Sequence, residues 1–386
     1  MEAVMPQTAA VRIRRTLGRA RRLAGRRADV VRSMIDRRRT GASDQPVAEP
    51  DRPLRIGLVG FFGWGNFGDE LFLQAHIEQL SSLGDVHAIN DMTRKPYFTR
   101  DVTEIVEQHD AFVIGGGDLV IPWQISELYW KRQYLDKPIF IVGVGVPTWK
   151  PSSERHVKRY REFFASPNVK MIVARDRESQ EWIRIHLEPA IPVGCASDLV
   201  WALDPVAAVQ RDRKTLGIVL RDRGNSNDDF SRVRELCDRA VQLDYDVVHI
   251  VLANKERGPD DLAVAQRFAN PGEEIVVTES LTEQRRAIAS CHMLASMKFH
   301  GTLVAAQQGV PAISLSSTDK TRNFLTAIDR RDLFSAYNAA DLADRLPRHP
   351  ARIAAETRAA HRASALGLYE ELRSAIIRQC ADDRVR

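Results

Sequence analysis

The residues best suited to chemistry stand where apolar runs give way to glycine. In SMKFHGTLVAAQQGVPAISLSSTDK, Lys298 and His300 lie between an apolar run and a segment of small residues, and Lys320 follows the next apolar run. A histidine at such a junction exchanges a proton near neutral pH, and a neighbouring cation favours an anionic ligand. An earlier stretch, RIGLVGFFGWGNFGDE, sets Gly60, Gly63, Gly65 and Gly68 ahead of Asp69 and Glu70. Glycines there let the backbone turn tightly and approach a ligand, and the amides that open the following helix attract an anion. Phe61, Phe62, Trp64 and Phe67 crowd the same loop, and aromatic rings suit the faces of sugars; Trp64, with Asn66 and Glu70, is the candidate sugar-binding set. In FVIGGGD, Gly115, Gly116 and Gly117 end a run before Asp118, which places a second accessible backbone edge beside the first. In GIVLRDRG, Arg221 stands just past a run, where a guanidinium grips phosphate or carboxylate with two donors.

These residues need elements to hold them. From residue 54 onward, short apolar runs alternate with amphipathic stretches. Strands are expected at 55–60, 86–90, 111–114, 139–144, 171–174 and 193–196, with helices at 69–83, 123–134, 153–165 and 177–187. A second series has strands at 215–220, 246–252, 274–277, 292–296 and 312–315, with helices at 231–243, 260–268, 281–290, 300–308 and 320–328. Such alternation implies parallel sheets covered by helices. The economical architecture is α/β, two Rossmann-like domains facing a cleft, with ligands at the carboxyl ends of the strands. The expected division is a basic extension and linker at 1–53, an N-terminal domain at 54–204, and a C-terminal domain with terminal helices at 205–386.

The chain has 386 residues and a net charge of +5. Residues 1–50 hold twelve arginines and five acids, a balance of +7, so the rest carries −2. The basic character therefore belongs to the extension, and a nucleic-acid-binding face on the folded part is not expected. Within 11–39, apolar residues recur at helical spacing with arginine on the other face, a pattern that lies on an anionic leaflet. The four cysteines (Cys195, Cys237, Cys291 and Cys380) form no CxxC pair, no metal-ligand cluster is visible, and no apolar run approaches the roughly 20 residues that cross a bilayer. Reduced thiols and a cytoplasmic location, peripheral at the inner face of the plasma membrane, are the expectation.

In order along the chain, GFFGWGNFGDE, FVIGGGD, VGVGVP, ARDRES, ASDLVWAL, VLRDR and MKFHGTLVAAQQGVPAISLSSTDKTRNFL resemble the polysaccharide pyruvyl transferase family over about residues 54–330. The resemblance implies a GT-B-like fold and transfer of a pyruvyl ketal from phosphoenolpyruvate to a sugar of a cell-surface polysaccharide or glycolipid, without a cofactor. It implies that Arg221 is the family's strand-end arginine for the donor and His300 the histidine of its Arg-x-His motif, with Lys298 where arginine is more usual. On this reading Arg221, Lys298, Lys320 and the glycines 115–117 hold the donor, and His300 is the general acid. Asp69 or Asp118 assists deprotonation of the acceptor, and no step demands a metal. The rival readings are a GT-B-type glycosyltransferase using a nucleotide sugar, a nicotinamide-dependent oxidoreductase, and a non-catalytic glycan-binding protein. For the second, Gly63, Gly65 and Gly68 spell GxGxxG, and Asp91 stands where a ribose-binding acid would.

Overall fold

IFIVGV in β4 (Ile139–Val144) is apolar and buried along its length, and β1 (Leu54–Val59) is buried but for its partly covered Arg55, as parallel strands covered on both faces must be. The computed structural model describes residues 52–93, 95–224, 230–348 and 351–382. Residues 11–39 lie outside them. No described helix is long and apolar enough to cross a membrane.

β1 and β4 join β2 (Gly84–Ala88), β3 (Ala111–Gly117), β5 (Val169–Ala174) and β6 (Val193–Cys195) in a sheet of order β2-β1-β3-β4-β5-β6. The second sheet, β11-β10-β7-β8-β9, is built from β7 (Lys214–Val219), β8 (Tyr245–Ile250), β9 (Glu274–Val276), β10 (Met293–Ser296) and β11 (Ala312–Ser314). Every strand pair is parallel. The chain leaves β1 and β3 toward opposite sides of the first sheet, and β7 and β10 toward opposite sides of the second. Each divergence opens a crevice at the strands' carboxyl ends, where doubly wound sheets bind ligands.

The helices that position the site are α1 (Phe67–Leu80) after β1, α2 (Val102–Glu107) before β3, α3 (Glu154–Phe164) and α4 (Arg177–Leu187) in the first half. The second half contributes α5 (Ser231–Gln242), α6 (Gly258–Phe268), α7 (Leu281–Ala289), α8 (Phe299–Gln307) and α9 (Asp319–Ala327). Both sheets belong to one unit, Glu49–Arg386. After α10 (Leu342–Arg345), the long terminal helix α11 (Ala355–Asp382) packs against the first half. The Tyr369 hydroxyl lies 3.2 Å from His76 Nδ1 on α1, and Arg373 donates to the Gln79 carbonyl. The tail of the segment assigned by sequence to the second domain thus packs on the first.

The expected helix at 123–134 is a run of turns ending in a short 3-10 turn, Arg132–Asp136. Its aromatics act as anchors: Trp130 Nε1 donates to the Leu119 carbonyl at 3.1 Å and the Tyr134 hydroxyl to the Leu128 carbonyl at 3.0 Å. The second bond occupies a carbonyl that a helix would have paired internally, and the first ties the stretch back to the residues that follow β3. A short helix not expected from the sequence, α2, stands earlier, between β2 and β3, and its first turn is capped by the Asp101 side chain accepting from the Thr103 amide.

Candidate active site

Three helix N-termini converge where the halves meet. Gly68 and Asp69 lie in the first turn of α1, His300 in the first turn of α8, and Lys320 in the first turn of α9. Helix N-termini carry partial positive charge, so their convergence favours an anion. α1 and α8 touch closely enough that a Cβ on Gly68 would sit 1.8 Å from His300 Nδ1, so only glycine permits this approach. The loop before α1 closes on the second half as well. Asn254 donates from its amide to the Gly65 carbonyl at 2.9 Å, Asn66 bridges Ala253, and Lys255 Nζ reaches the Gly63 carbonyl at 3.3 Å. Gly65 has φ +86°, and a Cβ on it would meet the Asn254 carbonyl oxygen at 2.1 Å.

Asp118 follows β3 and is gripped from both halves. It pairs with Arg175, which follows β5 and is almost fully buried, and with Lys320 Nζ at 3.0 Å. Burial by itself would raise the Asp118 carboxyl, but Arg175 and Lys320 outweigh it and hold the group well below the usual carboxylate range. Both cations also lie over the Phe299 ring, at 5.3 and 5.6 Å from its centre. A second clasp runs alongside: Thr148 donates to Asp319 at 2.9 Å, and Arg322 reaches Glu178 at 3.3 Å.

Asp69 and His300 are shifted by burial in opposite directions. Burial pushes the Asp69 carboxyl up to about 7, with Lys320 opposing and the Asp118 charge adding to the rise. A Cβ on Gly117 would lie 3.3 Å from Asp69 Oδ1, so the carboxyl faces the glycine edge. The His300 ring stands edge-on to Phe72 and to Phe299, each at 4.9 Å. Burial lowers its pKa, and Asp198, whose Oδ2 is 3.7 Å from His300 Nε2, pulls the other way. Neither of those two atoms has a hydrogen-bond partner among the described residues.

Asp69, Asp118, His300, Lys320 and the glycine edge 115–117 are therefore brought together across the junction. Other expected residues are placed elsewhere. Lys298 pairs with buried Asp261 at 2.7 Å, and Arg221 is exposed on the loop after β7, outside the cation pair. Glu70 accepts the amides of Gly63 and Gly65, both at 2.9 Å, so its carboxylate shapes the loop instead of facing a ligand. Asn66 is exposed, and Trp64 is partly covered with its ring 6.0 Å from Phe61. The glycines that spell GxGxxG are used for contact between the halves, and Asp91 accepts from the amide and hydroxyl of Thr93 in a local turn. Sequence reasoning passed over Arg175 and Asp198. Both lie in quoted motifs, Arg175 directly after β5 in ARDRES and Asp198 three residues past β6 in ASDLVWAL, so the strand-end rule that found Asp118 would have found them.

Residues 66–319 match the family model described as polysaccharide pyruvyl transferase. A search of curated proteins found no match. Among solved structures, the chain is similar to the UDP-GlcNAc 2-epimerase from Methanocaldococcus jannaschii, with TM-score 0.53 and 11% identity over 83% of this chain and 99% of that one. It is similar to the Neisseria meningitidis UDP-GlcNAc 2-epimerase bound to UDP-GlcNAc, with TM-score 0.52 and 13% identity over 83% and 98%. It also resembles S. aureus MnaA bound to UDP, with TM-score 0.51 and 11% identity over 81% and 91%. At such identities the likeness is one of fold, a GT-B-like pair of parallel-sheet domains.

Proposed function

The chain belongs to the polysaccharide pyruvyl transferase family, and we propose that it moves the pyruvyl group of phosphoenolpyruvate onto two hydroxyls of one sugar in a cell-surface polysaccharide or glycolipid. The observation that carries this reading is the cation pair, buried Arg175 and half-buried Lys320, closed around Asp118 beside His300 and Asp69. Phosphoenolpyruvate presents a phosphate and a carboxylate on a small frame. Two cations from opposite halves, with three helix N-termini, suit such a ligand. Asp118 already engages both cations, and the donor's oxygens would compete for them.

The protonation pattern supports a division of labour. When the anionic donor is held nearby, its charge and that of Asp198 favour imidazolium at His300, which gives its proton to the donor's methylene carbon. The neighbouring carbon takes the first sugar oxygen, and the proton of that hydroxyl passes to Asp69, a base whose pKa of about 7 suits the task. The second hydroxyl then attacks the same carbon as the phosphate leaves. Its proton departs with phosphate, the proton held by Asp69 returns to His300, and the products are the ketal and inorganic phosphate. Asp118, paired with two cations, is a poor base and serves to organise them.

The deciding experiment is mass spectrometry of candidate acceptor glycans after incubation with phosphoenolpyruvate, UDP-sugars or NADH in parallel. Gain of pyruvate with loss of water, only with phosphoenolpyruvate, is expected; sugar addition from a UDP-sugar would replace this reading with a glycosyltransferase. Arg175→Ala removes one cation and leaves Asp118 buried beside Lys320 alone. We expect it to abolish protection by phosphoenolpyruvate against thermal unfolding and to cost about 3–5 kcal/mol of stability, the scale of a broken buried pair. Arg221→Ala, an exposed change, should keep the protection.

The arginine-rich residues 11–39 would hold the enzyme against the anionic inner face of the plasma membrane, where lipid-linked glycans are built. Deleting residues 1–50 should abolish sedimentation with acidic vesicles and leave turnover of a soluble acceptor unchanged. Equal sedimentation of both forms would remove the membrane role.

A further inference from the structure

The segment VPTWKPSS places Trp149 between Pro147 and Pro151, and Pro122 precedes Trp123. Proline fixes its own φ and restricts the residue before it, so both loops are stiff. They are also tied together, because the Ser153 amide donates to the Pro122 carbonyl at 2.9 Å. The two indoles lie 5.2 Å apart, tilted by 59°, with Lys150 Nζ 5.7 Å from the Trp123 ring centre. Trp149 is 55% exposed, and no other aromatic side chain among the described residues is as open. Trp149 and Trp123 together keep an aromatic surface open to water instead of burying it, a surface available to a ligand.

The position indicates the partner. The loops follow β3 and β4, the strands whose ends supply Asp118 and the Gly145 amide that bonds Gly117 at 2.8 Å. Thr148, next to Trp149, donates to Asp319, and Lys320 beside Asp319 grips Asp118. The indole pair therefore stands at the rim of the reaction site, two steps along the chain and one hydrogen bond from its cation pair. A polysaccharide acceptor extends beyond the sugar that reacts, so its neighbouring residues must pass over a rim. A pyranose has one face of C–H groups and an edge of hydroxyls. The first matches an indole face, and the second matches Lys150 and water.

We propose that Trp149 and Trp123 form a stacking subsite for a sugar ring of the acceptor glycan, adjacent to the residue that receives the pyruvyl group. The inference rests on the glycan acceptor of the proposed function and is independent of the donor. Its test is binding, without donor, of the full chain to an array of α- and β-linked hexose and N-acetylhexosamine chains from monosaccharides to hexasaccharides. Oligosaccharides should be captured more strongly than the matching monosaccharides. Trp149→Ala should weaken that capture about tenfold or more, the scale of losing a tryptophan anchor, and Trp149→Phe should restore most of it. Thermal unfolding confirms that each variant is folded. Equal capture by the parent and Trp149→Ala, or no capture by the parent, overturns the subsite. So does loss of binding to anionic vesicles on Trp149→Ala with sugar capture unchanged, which would make the rings a membrane contact. Thermal protection by phosphoenolpyruvate, read on the same samples, reports the donor separately. It persists if only the stacking subsite is wrong, and it is absent if the donor reading is wrong.

Discussion

His300→Ala is expected to lower kcat by about 10²- to 10⁴-fold while leaving the fold intact, because the loss of a positioned acid removes an interaction made in the transition state. The side chain is wedged between Phe72, Phe299 and the backbone of Gly68, so alanine leaves a small void there. Its removal also takes away the imidazole that approaches Asp198 Oδ2. Thermal unfolding must therefore be measured beside turnover. Protection by phosphoenolpyruvate should survive, since Arg175 and Lys320 remain. Near-normal turnover of the variant would exclude His300 as the proton donor.

Asp69→Asn is expected to stop turnover and to stabilise the protein above neutral pH. Burial, opposed by Lys320 and reinforced by Asp118, raises the Asp69 carboxyl from 3.8 to about 7. The sign follows from proton counting. Below the unfolded value the group is protonated in both states and the difference vanishes. Between the two values the folded state holds a proton that the unfolded state has lost, so stability falls as pH rises. Above the folded value the full cost of a buried charge is present, about 4 kcal/mol, since each tenfold change in proton affinity is worth about 1.4 kcal/mol. Asparagine removes that cost, so the gain in melting temperature should be large at pH 8 and small at pH 4. The parent's kcat/KM should be bell-shaped in pH, falling on the acid side where Asp69 holds its proton and on the alkaline side where His300 has lost the proton it must donate. A gain in stability that does not vary with pH would show that the carboxyl is not strained by its surroundings.

Much of this architecture was legible in the residues. Parallel strands buried on both faces must be continuously apolar, so the central ones, β3, β4 and β10, announced themselves, and glycine or aspartate at a strand's end marked where ligands gather. Local chemistry alone put Asp69 and His300 at the openings of helices. The aromatic-rich stretch 123–134 misled, because ring spacing that matches a helix also serves rings that hook backbone carbonyls from a string of turns.

What the amino-acid sequence determined by itself is therefore the set of parts: two βαβ series, glycine edges, acids and a histidine at strand ends, and an arginine-rich extension. Which charges meet was decided by the tertiary structure. Lys298 and Lys320 are alike in type and in their place after a strand, yet one faces Asp261 within its own half and the other crosses the junction to Asp118. Arg221 points into solvent, while Arg175, which also follows a strand, is buried in the pair. The reason is that ion pairing depends on distance in space and on the dielectric around it. Both are set by strand order and by how closely α1 and α8 pack, and a linear pattern encodes neither.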